Sequence, residues 1–162
     1  MNYLSLTKAE VANGTGIRVC LWVSGCSHHC KGCQNPESWD KNTGYEFTEE
    51  TYNKIKNELS KEYCDGITFT GGDPLAPYNR DKVSEIAKKV KKDFPNKNIW
   101  CYTGYSLNDV KDLDIMEYID ILIDGEFIKE QRDITLAFRG SKNQNIYEKN
   151  NNDWICVNDK FN

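Results

Sequence analysis

Cys26, Cys30 and Cys33 stand in the run Ser24-Gly25-Cys26-Ser27-His28-His29-Cys30-Lys31-Gly32-Cys33, where the spacing C-x3-C-x2-C delivers three thiolates from one short loop. A tetrahedral zinc site takes four donors, and so does a fully ligated iron–sulfur cluster. Three thiolates therefore either recruit a remote fourth ligand or leave one metal position open. An open position on a cubane cluster is a place for chemistry, so the pattern points to an enzyme rather than a passive metal module. A structural zinc would need His28, His29 or a remote cysteine to complete its shell. Zinc knuckles and ribbons usually carry a second paired-ligand motif, whereas Cys64, Cys101 and Cys156 stand alone. Either histidine would have to bend back within its own loop. We read the loop as a cluster site and the histidines as solvated or supporting residues.

The elements that must hold this loop alternate between β-rich and amphipathic stretches. Ile17 to Ser24 reads as a well-buried strand running directly into the cysteine loop. Thr48 caps a helix with Glu49 and Glu50 in its first turn, and Tyr52, Ile55, Leu59 and Tyr63 form its apolar stripe. Gly66 to Gly72 is a second strand ending in glycines. Val83, Ile86, Ala87, Val90 and Phe94 mark a second helix that Pro95 stops. Asn98 to Thr103 is a third strand, Leu107 to Leu113 a short helix, and Ile119 to Asp124 a fourth strand closed by Gly125. Residues 143–152 are rich in asparagine and read as a surface loop, before a short closing strand at Trp154 to Val157.

This order predicts an α/β fold with parallel strands and crossover helices. A complete eight-unit barrel takes about 250 residues. At 162 residues the expectation is one domain, residues 1–162, built as a partial (β/α) barrel with an open, mostly parallel sheet. Ligands bind beyond the carboxyl ends of such strands. The cysteine loop, Gly71-Gly72, Gly104 and Gly125 all fall at those ends, which predicts that they share one site.

Composition narrows the classes. The chain is 38% hydrophobic and 28% charged, with a net charge of −4 that gives no general attraction to phosphate backbones, so nucleic acid is not an expected partner. The longest apolar run, Val19 to Val23, is far below the ~18 residues of a membrane span. The first residues lack the charged-then-apolar order of a secretory signal. Seven cysteines, an odd number with three at metal spacing, argue against a disulfide framework and for a reducing cytoplasm.

The cysteine loop after the first strand, with Gly71-Gly72-Asp73-Pro74 after the second, resembles the radical S-adenosylmethionine enzymes. The resemblance implies a 4Fe–4S cluster on Cys26, Cys30 and Cys33, with S-adenosyl-L-methionine chelating the fourth iron through its amino and carboxylate groups. It implies reductive cleavage to methionine and a 5′-deoxyadenosyl radical that abstracts hydrogen. Within that superfamily the chain resembles the activating enzymes of anaerobic ribonucleoside-triphosphate reductase. The likeness runs through Asn13-Gly-Thr-Gly-Ile-Arg18, Cys33-Gln-Asn-Pro-Glu-Ser-Trp39, Tyr102-Thr-Gly-Tyr105, Ile119 to Phe127 and Arg139 to Gln144. It implies a partner, the large catalytic subunit of that reductase, on which a glycyl radical is made, and a flavodoxin or ferredoxin-type reductant. The activity implied is an oxidoreductase like the formate-C-acetyltransferase-activating enzymes. Those tend to be longer and to carry a further cluster insertion, for which there is no room between Cys33 and Thr48.

Cofactor contacts are expected from Gly32, Cys33, Gln34, Asn35, Gly71, Gly72, Asp73, Pro74 and Tyr102. Paired glycines let backbone approach a ligand closely. Asp73 is expected to accept from the methionine ammonium, and Pro74 to stiffen the turn. Gly32 stands where many superfamily members place an aromatic residue, so adenine contacts are expected from the backbone of Gly32 to Gln34 or from Tyr102. Asn35 either bonds near the cofactor or shapes the turn before Pro36. Trp39 is expected to pack over the cluster region, Trp22 and Trp100 to join the core, and Arg18 and Arg139 to pair with carboxylates of cofactor or partner or in surface salt bridges. Cys20, Cys64, Cys101 and Cys156 read as small buried hydrophobes. No catalytic side chain is expected beyond cluster and cofactor.

Overall fold

In a computed structural model that describes residues 1–161, eight strands and three helices form an α/β fold around one mixed sheet that does not close. The strands are β1 (Asn2–Glu10), β2 (Ile17–Val23), β3 (Tyr45–Glu46), β4 (Cys64–Gly71), β5 (Asn98–Tyr102), β6 (Ile121–Asp124), β7 (Asn145–Asn150) and β8 (Asp153–Cys156). The helices are α1 (Glu49–Leu59), α2 (Arg80–Asp93) and α3 (Leu107–Val110). Across the sheet the order is β3-β1-β2-β4-β5-β6-β7-β8. Only the centre, β2-β4-β5-β6, is parallel, and an antiparallel pair flanks it on each side. The expected mostly parallel sheet is thus corrected to a mixed one, because both ends of the chain return as hairpins.

Alternation along the parallel strands gives the sheet two different faces. Val19, Leu21 and Val23 of β2, Ile67 and Phe69 of β4, Ile99 and Cys101 of β5 and Leu122 of β6 pack with α1 and α2 in the main core. Thr48 closes a capping box at the start of α1, whose Tyr52, Ile55 and Leu59 supply the buried stripe. That helix ends at Leu59, so Tyr63 is left outside the stripe and exposed. Val83, Ile86, Ala87 and Val90 bury α2, and Phe94 is its C-cap.

The opposite face carries Arg18, Trp100, Ile121, Ile123 and Ile146, closed below by Phe138 and Phe161, whose rings meet Trp100 edge-on at 5.2 and 6.0 Å. Arg18 is fully buried rather than at a surface or a ligand. Its Nε donates to Thr68 Oγ1 at 2.8 Å, Nη1 to Thr15 O at 3.0 Å, and Nη2 to Ile67 O at 2.9 Å and Asn98 O at 3.2 Å, while the guanidinium lies over Trp100. Burial lowers its pKa to about 10, so the cation persists at neutral pH. Thr68 Oγ1 in turn donates to Asn13 O, so the glycine-rich segment before β2 is tied to β4.

Other expectations change. β1 and β3 had no counterpart in the sequence reading. Residues 145–150, expected within a loop, are strand β7, held antiparallel to β6 with Ile146 fully buried. Ile119 and Asp120 precede β6, and α3 stops at Val110. Cys20, Cys64 and Cys101 are buried as expected, whereas Cys156 lies exposed on edge strand β8. No helix among the described residues is long and apolar enough to cross a membrane.

The planar fork of Arg18 reaches several acceptors at once, which an ammonium cannot reproduce. Arg18→Lys is therefore expected to destabilise the fold by about 2–3 kcal/mol, the worth of hydrogen bonds to a buried charged group. Urea denaturation checks this, and an unchanged midpoint would contradict the assignment.

Candidate functional site

The cysteine loop leaves β2 at Val23 and is folded back on itself. Gly25 N donates to Ser38 O at 2.6 Å and Cys26 N to Trp39 O at 3.1 Å, so the segment Cys26 to Trp39 closes as a lobe. Within it Cys33 N donates to Cys30 O at 3.0 Å, Asn35 N reaches Cys33 Sγ at 3.4 Å and Ser38 Oγ donates to Asn35 O at 2.6 Å. Trp39 packs on His29 of the cysteine loop, ring centroids 4.7 Å apart, and does not line the cleft.

Cys26, Cys30 and Cys33 are free, half-buried thiols facing one cleft of about 420 Å³. Burial pushes the Cys26 thiol up to about 11 and that of Cys30 upward, so iron binding must release protons from them. Among the described residues no three His, Cys, Asp or Glu side chains converge on a single metal ion. A cubane asks something else, because each thiolate binds a different iron and the thiols need only share a cavity. The donor set and the shared cleft fit such a cluster.

The glycine turn after β4 is zipped to the end of β2. Gly72 N donates to Val23 O at 2.7 Å and Asp73 N to Gly25 O at 2.8 Å. Gly71 holds φ +98°, where a side chain is strained, and a Cβ on Gly72 would lie 2.4 Å from Gly25 O. Asn79, at the start of α2, donates to Ser24 O at 2.9 Å and Asp73 O at 3.0 Å, bracing both turns from behind.

Asp73 is 1% exposed. Its Oδ1 accepts from Leu75 N and Thr103 Oγ1, each at 2.9 Å, and its Oδ2 accepts from Gly104 N at 3.0 Å and faces His28 Nε2 at 2.8 Å. The expectation that Asp73 serves a cofactor ammonium meets a carboxylate whose acceptor sites are taken. His28 Nδ1 lies 2.8 Å from Glu126 Oε1. The hydrogen bond to Asp73, with a lesser contribution from Glu126, outweighs burial and raises the imidazole to about 9.

Of the expected contacts, Cys33, Gln34, Asn35, Gly71, Gly72, Asp73 and Tyr102 line the cleft with Cys26 and Cys30. Gly32 and Pro74 do not: Gly32 is exposed, with the Lys129 side chain nearest, and Pro74 is buried in the turn. Gly104 and Gly125 line it too. Trp22 is half-buried there rather than in the core, its Nε1 donating to Thr7 Oγ1 at 3.0 Å. Phe127, Phe138, Arg139 and Gln144 complete one wall. Gln144 ties that wall together, accepting from Gly140 N and Ser141 N through Oε1 and donating to Gly125 O. None of these four wall residues was among the expected cofactor contacts: Phe127, Arg139 and Gln144 fall in stretches of family likeness without periodicity, and Phe138 falls outside them.

The profile of the family described as "4Fe-4S single cluster domain" matches residues 12–147. The chain is 42% identical over 154 residues to the anaerobic ribonucleoside-triphosphate reductase-activating protein of Enterobacteria phage T4, covering 95% of this chain and 98% of that one. It is 44% identical over 151 residues to the protein of the same name from Haemophilus influenzae (91% and 97% covered), and 36% over 151 residues to that of Escherichia coli K12 (91% and 98%).

Gly72→Ala forces a methyl group against the Gly25 carbonyl, one residue before Cys26. The expected loss is about 1–3 kcal/mol of stability, as for other overpacked sites. Thermal unfolding of the cluster-free chain measures it, and a wild-type melting temperature would show that the two turns are not in contact.

Proposed function

The chain belongs to the 4Fe-4S single cluster domain family and to the anaerobic ribonucleoside-triphosphate reductase-activating proteins, and from that membership we propose that it is a radical S-adenosylmethionine activase that makes a glycyl radical on the large subunit of the reductase. The observation that carries this reading is the meeting of three half-buried thiols and a glycine turn in one cleft at the carboxyl ends of parallel strands. Cys26, Cys30 and Cys33 would hold the cluster. When bound, the cluster would supply the one electron for reductive cleavage of a sulfonium C–S bond of S-adenosyl-L-methionine, giving methionine and a hydrogen-abstracting 5′-deoxyadenosyl radical.

The protein's part is to bind, orient and shield. Gly71 and Gly72 leave backbone open to a ligand, and the cofactor's ammonium falls to that backbone, since Asp73 is committed to the turn. Gln34, Asn35, the backbone of Cys33, and Tyr102 are the candidates for the nucleoside. Trp22, Tyr102, Phe127 and Phe138 supply apolar walls that keep water from a reactive intermediate. The open sheet is in this reading the partial barrel of the superfamily, and all of residues 1–162 serve it as one domain. Its unclosed side admits a glycine-bearing loop of the reductase, which then completes the shielding. A flavodoxin or ferredoxin-type protein in the cytoplasm would deliver the electron. The kinship in chemistry with formate-C-acetyltransferase-activating enzymes follows from the same reaction.

The test is anaerobic reconstitution with iron and sulfide, then S-adenosyl-L-methionine and dithionite, with 5′-deoxyadenosine quantified. Wild type is expected to form it and Cys30→Ala to stay at background with loss of bound iron. A fully loaded, reduced wild type that makes none, with or without the reductase large subunit, overturns the reading.

A further inference from the structure

The segment Thr103-Gly104-Tyr105 lies just beyond β5; Thr103 Oγ1 and Gly104 N bond the Asp73 carboxylate, and Gly104 and Tyr105 pack against His28, a side chain of the cysteine loop. His28 is 10% exposed although it stands in a surface loop. Its Nε2 meets Asp73 Oδ2 and its Nδ1 meets Glu126 Oε1, each at 2.8 Å. Neither ring nitrogen is left free for a further partner. The Tyr105 ring stands edge-on to the imidazole, centroids 4.6 Å apart. Gly104 forms the floor: a Cβ there would lie 2.5 Å from His28 Cδ2.

The Asp73 side of this seat is itself fixed, and the backbone that carries Glu126 is anchored. Thr103 Oγ1 and Gly104 N orient the Asp73 carboxylate, and Leu75 N holds it from its own turn. Tyr105 O accepts from Gly125 N at 3.0 Å, and Asn143 Nδ2 donates to Glu126 O at 2.8 Å, so the strand end that carries Glu126 is held as well. The imidazole therefore enters a preformed socket made from the ends of β4, β5 and β6. It enters from the middle of the Cys26-x3-Cys30 interval, so whatever fixes its ring fixes the thiols on either side.

We propose that His28 is a positioning residue that docks the cysteine loop into the socket formed by Asp73, Gly104, Tyr105 and Glu126, and thereby sets where the three thiols stand relative to the Gly71-Gly72 turn. It is not a metal ligand, because both ring nitrogens are engaged by carboxylates. The consequence for cofactor geometry rests on the function proposed above, while the docking of the loop does not.

The experiment compares wild type, His28→Ala and His28→Gln as full chains. Hydrogen–deuterium exchange of residues 24–35 before reconstitution reads the docking. Iron and sulfide content, and the change that S-adenosyl-L-methionine causes in the electron paramagnetic resonance signal of the reduced, reconstituted protein, read its consequence. His28→Ala is expected to exchange faster in the loop, to load iron and sulfide, and to need about ten- to a hundredfold more cofactor for half of the spectral change, the usual effect of removing a residue that orients ligands. His28→Gln, which keeps one donor, should fall between. Loop exchange and cofactor titration like wild type in His28→Ala overturn the proposal. Loss of iron from His28→Ala with wild-type loop exchange also overturns it, by making His28 a ligand. If β4 and β5 exchange faster as well, that variant has lost its fold and the same outcomes are read in His28→Gln. A wild-type signal that the cofactor leaves unchanged counts against the proposed function, and the exchange comparison still decides the docking.

Discussion

A carboxylate withdrawn from water must be met by donors, and the need to satisfy Asp73 organises this molecule. Leaving such a charge buried and unpaired costs several kcal/mol. Here the donors come from Leu75 in the turn after β4, from Thr103 and Gly104 beyond β5, and from His28 in the cysteine loop. Segments 45 residues apart in one case and about 30 in the other are thereby brought to one point. The carbonyl of the same residue accepts from Asn79, so the start of α2 is registered on that point too. The glycine turn, the cysteine loop and the helix behind them are thus placed by the coordination of one residue.

The sheet supplies what that residue needs to stand on. Its helix-covered face is almost wholly apolar, whereas the other changes character along the strands. Toward the amino ends of the parallel strands the buried Arg18 lies over Trp100, and Phe138 and Phe161 seal the aromatic cluster. Two residues along each strand the same rows present Thr70 and Tyr102, and on β2 the row reaches Trp22, all at the cleft. One face is therefore a closed core at one end and a ligand site at the other, with no change of fold between them. The cation is kept because carbonyl and hydroxyl oxygens replace its water.

Much of this was legible in the residues. The apolar runs marked β2, β4, β5 and β6 as strands, and Thr48 with its stripe at Tyr52, Ile55 and Leu59 marked α1. The cysteine spacing and the glycines at strand ends marked the cleft. The edges were hidden for physical reasons. β1 pairs with β2 through two register shifts, with Ala9 at φ 52°, so its side chains do not alternate cleanly. β7 begins and ends in asparagine, and its single fully buried residue, Ile146, is too little for a pattern. Arg18 was misplaced because a charge reads as surface unless its acceptors, which are main-chain oxygens from distant residues, are known. The saturation of Asp73 was hidden in the same way: its sequence neighbours announce a turn, and only the tertiary partners reveal that the carboxylate is spoken for.

The distribution of cysteines also divides the thiols by reactivity. Burial pushes the Cys20 thiol up to about 12, Cys64 upward and Cys101 well above the ordinary range, so all three remain protonated and sheltered. Cys156 alone of the remaining four lies outside the cleft, exposed on the outermost strand beside the exposed Ile155. With the three loop thiolates engaged by iron, an alkylating dye or nitroxide has one address on this chain. In air that same outward thiol, on an unpaired strand edge, is where two molecules would be joined covalently.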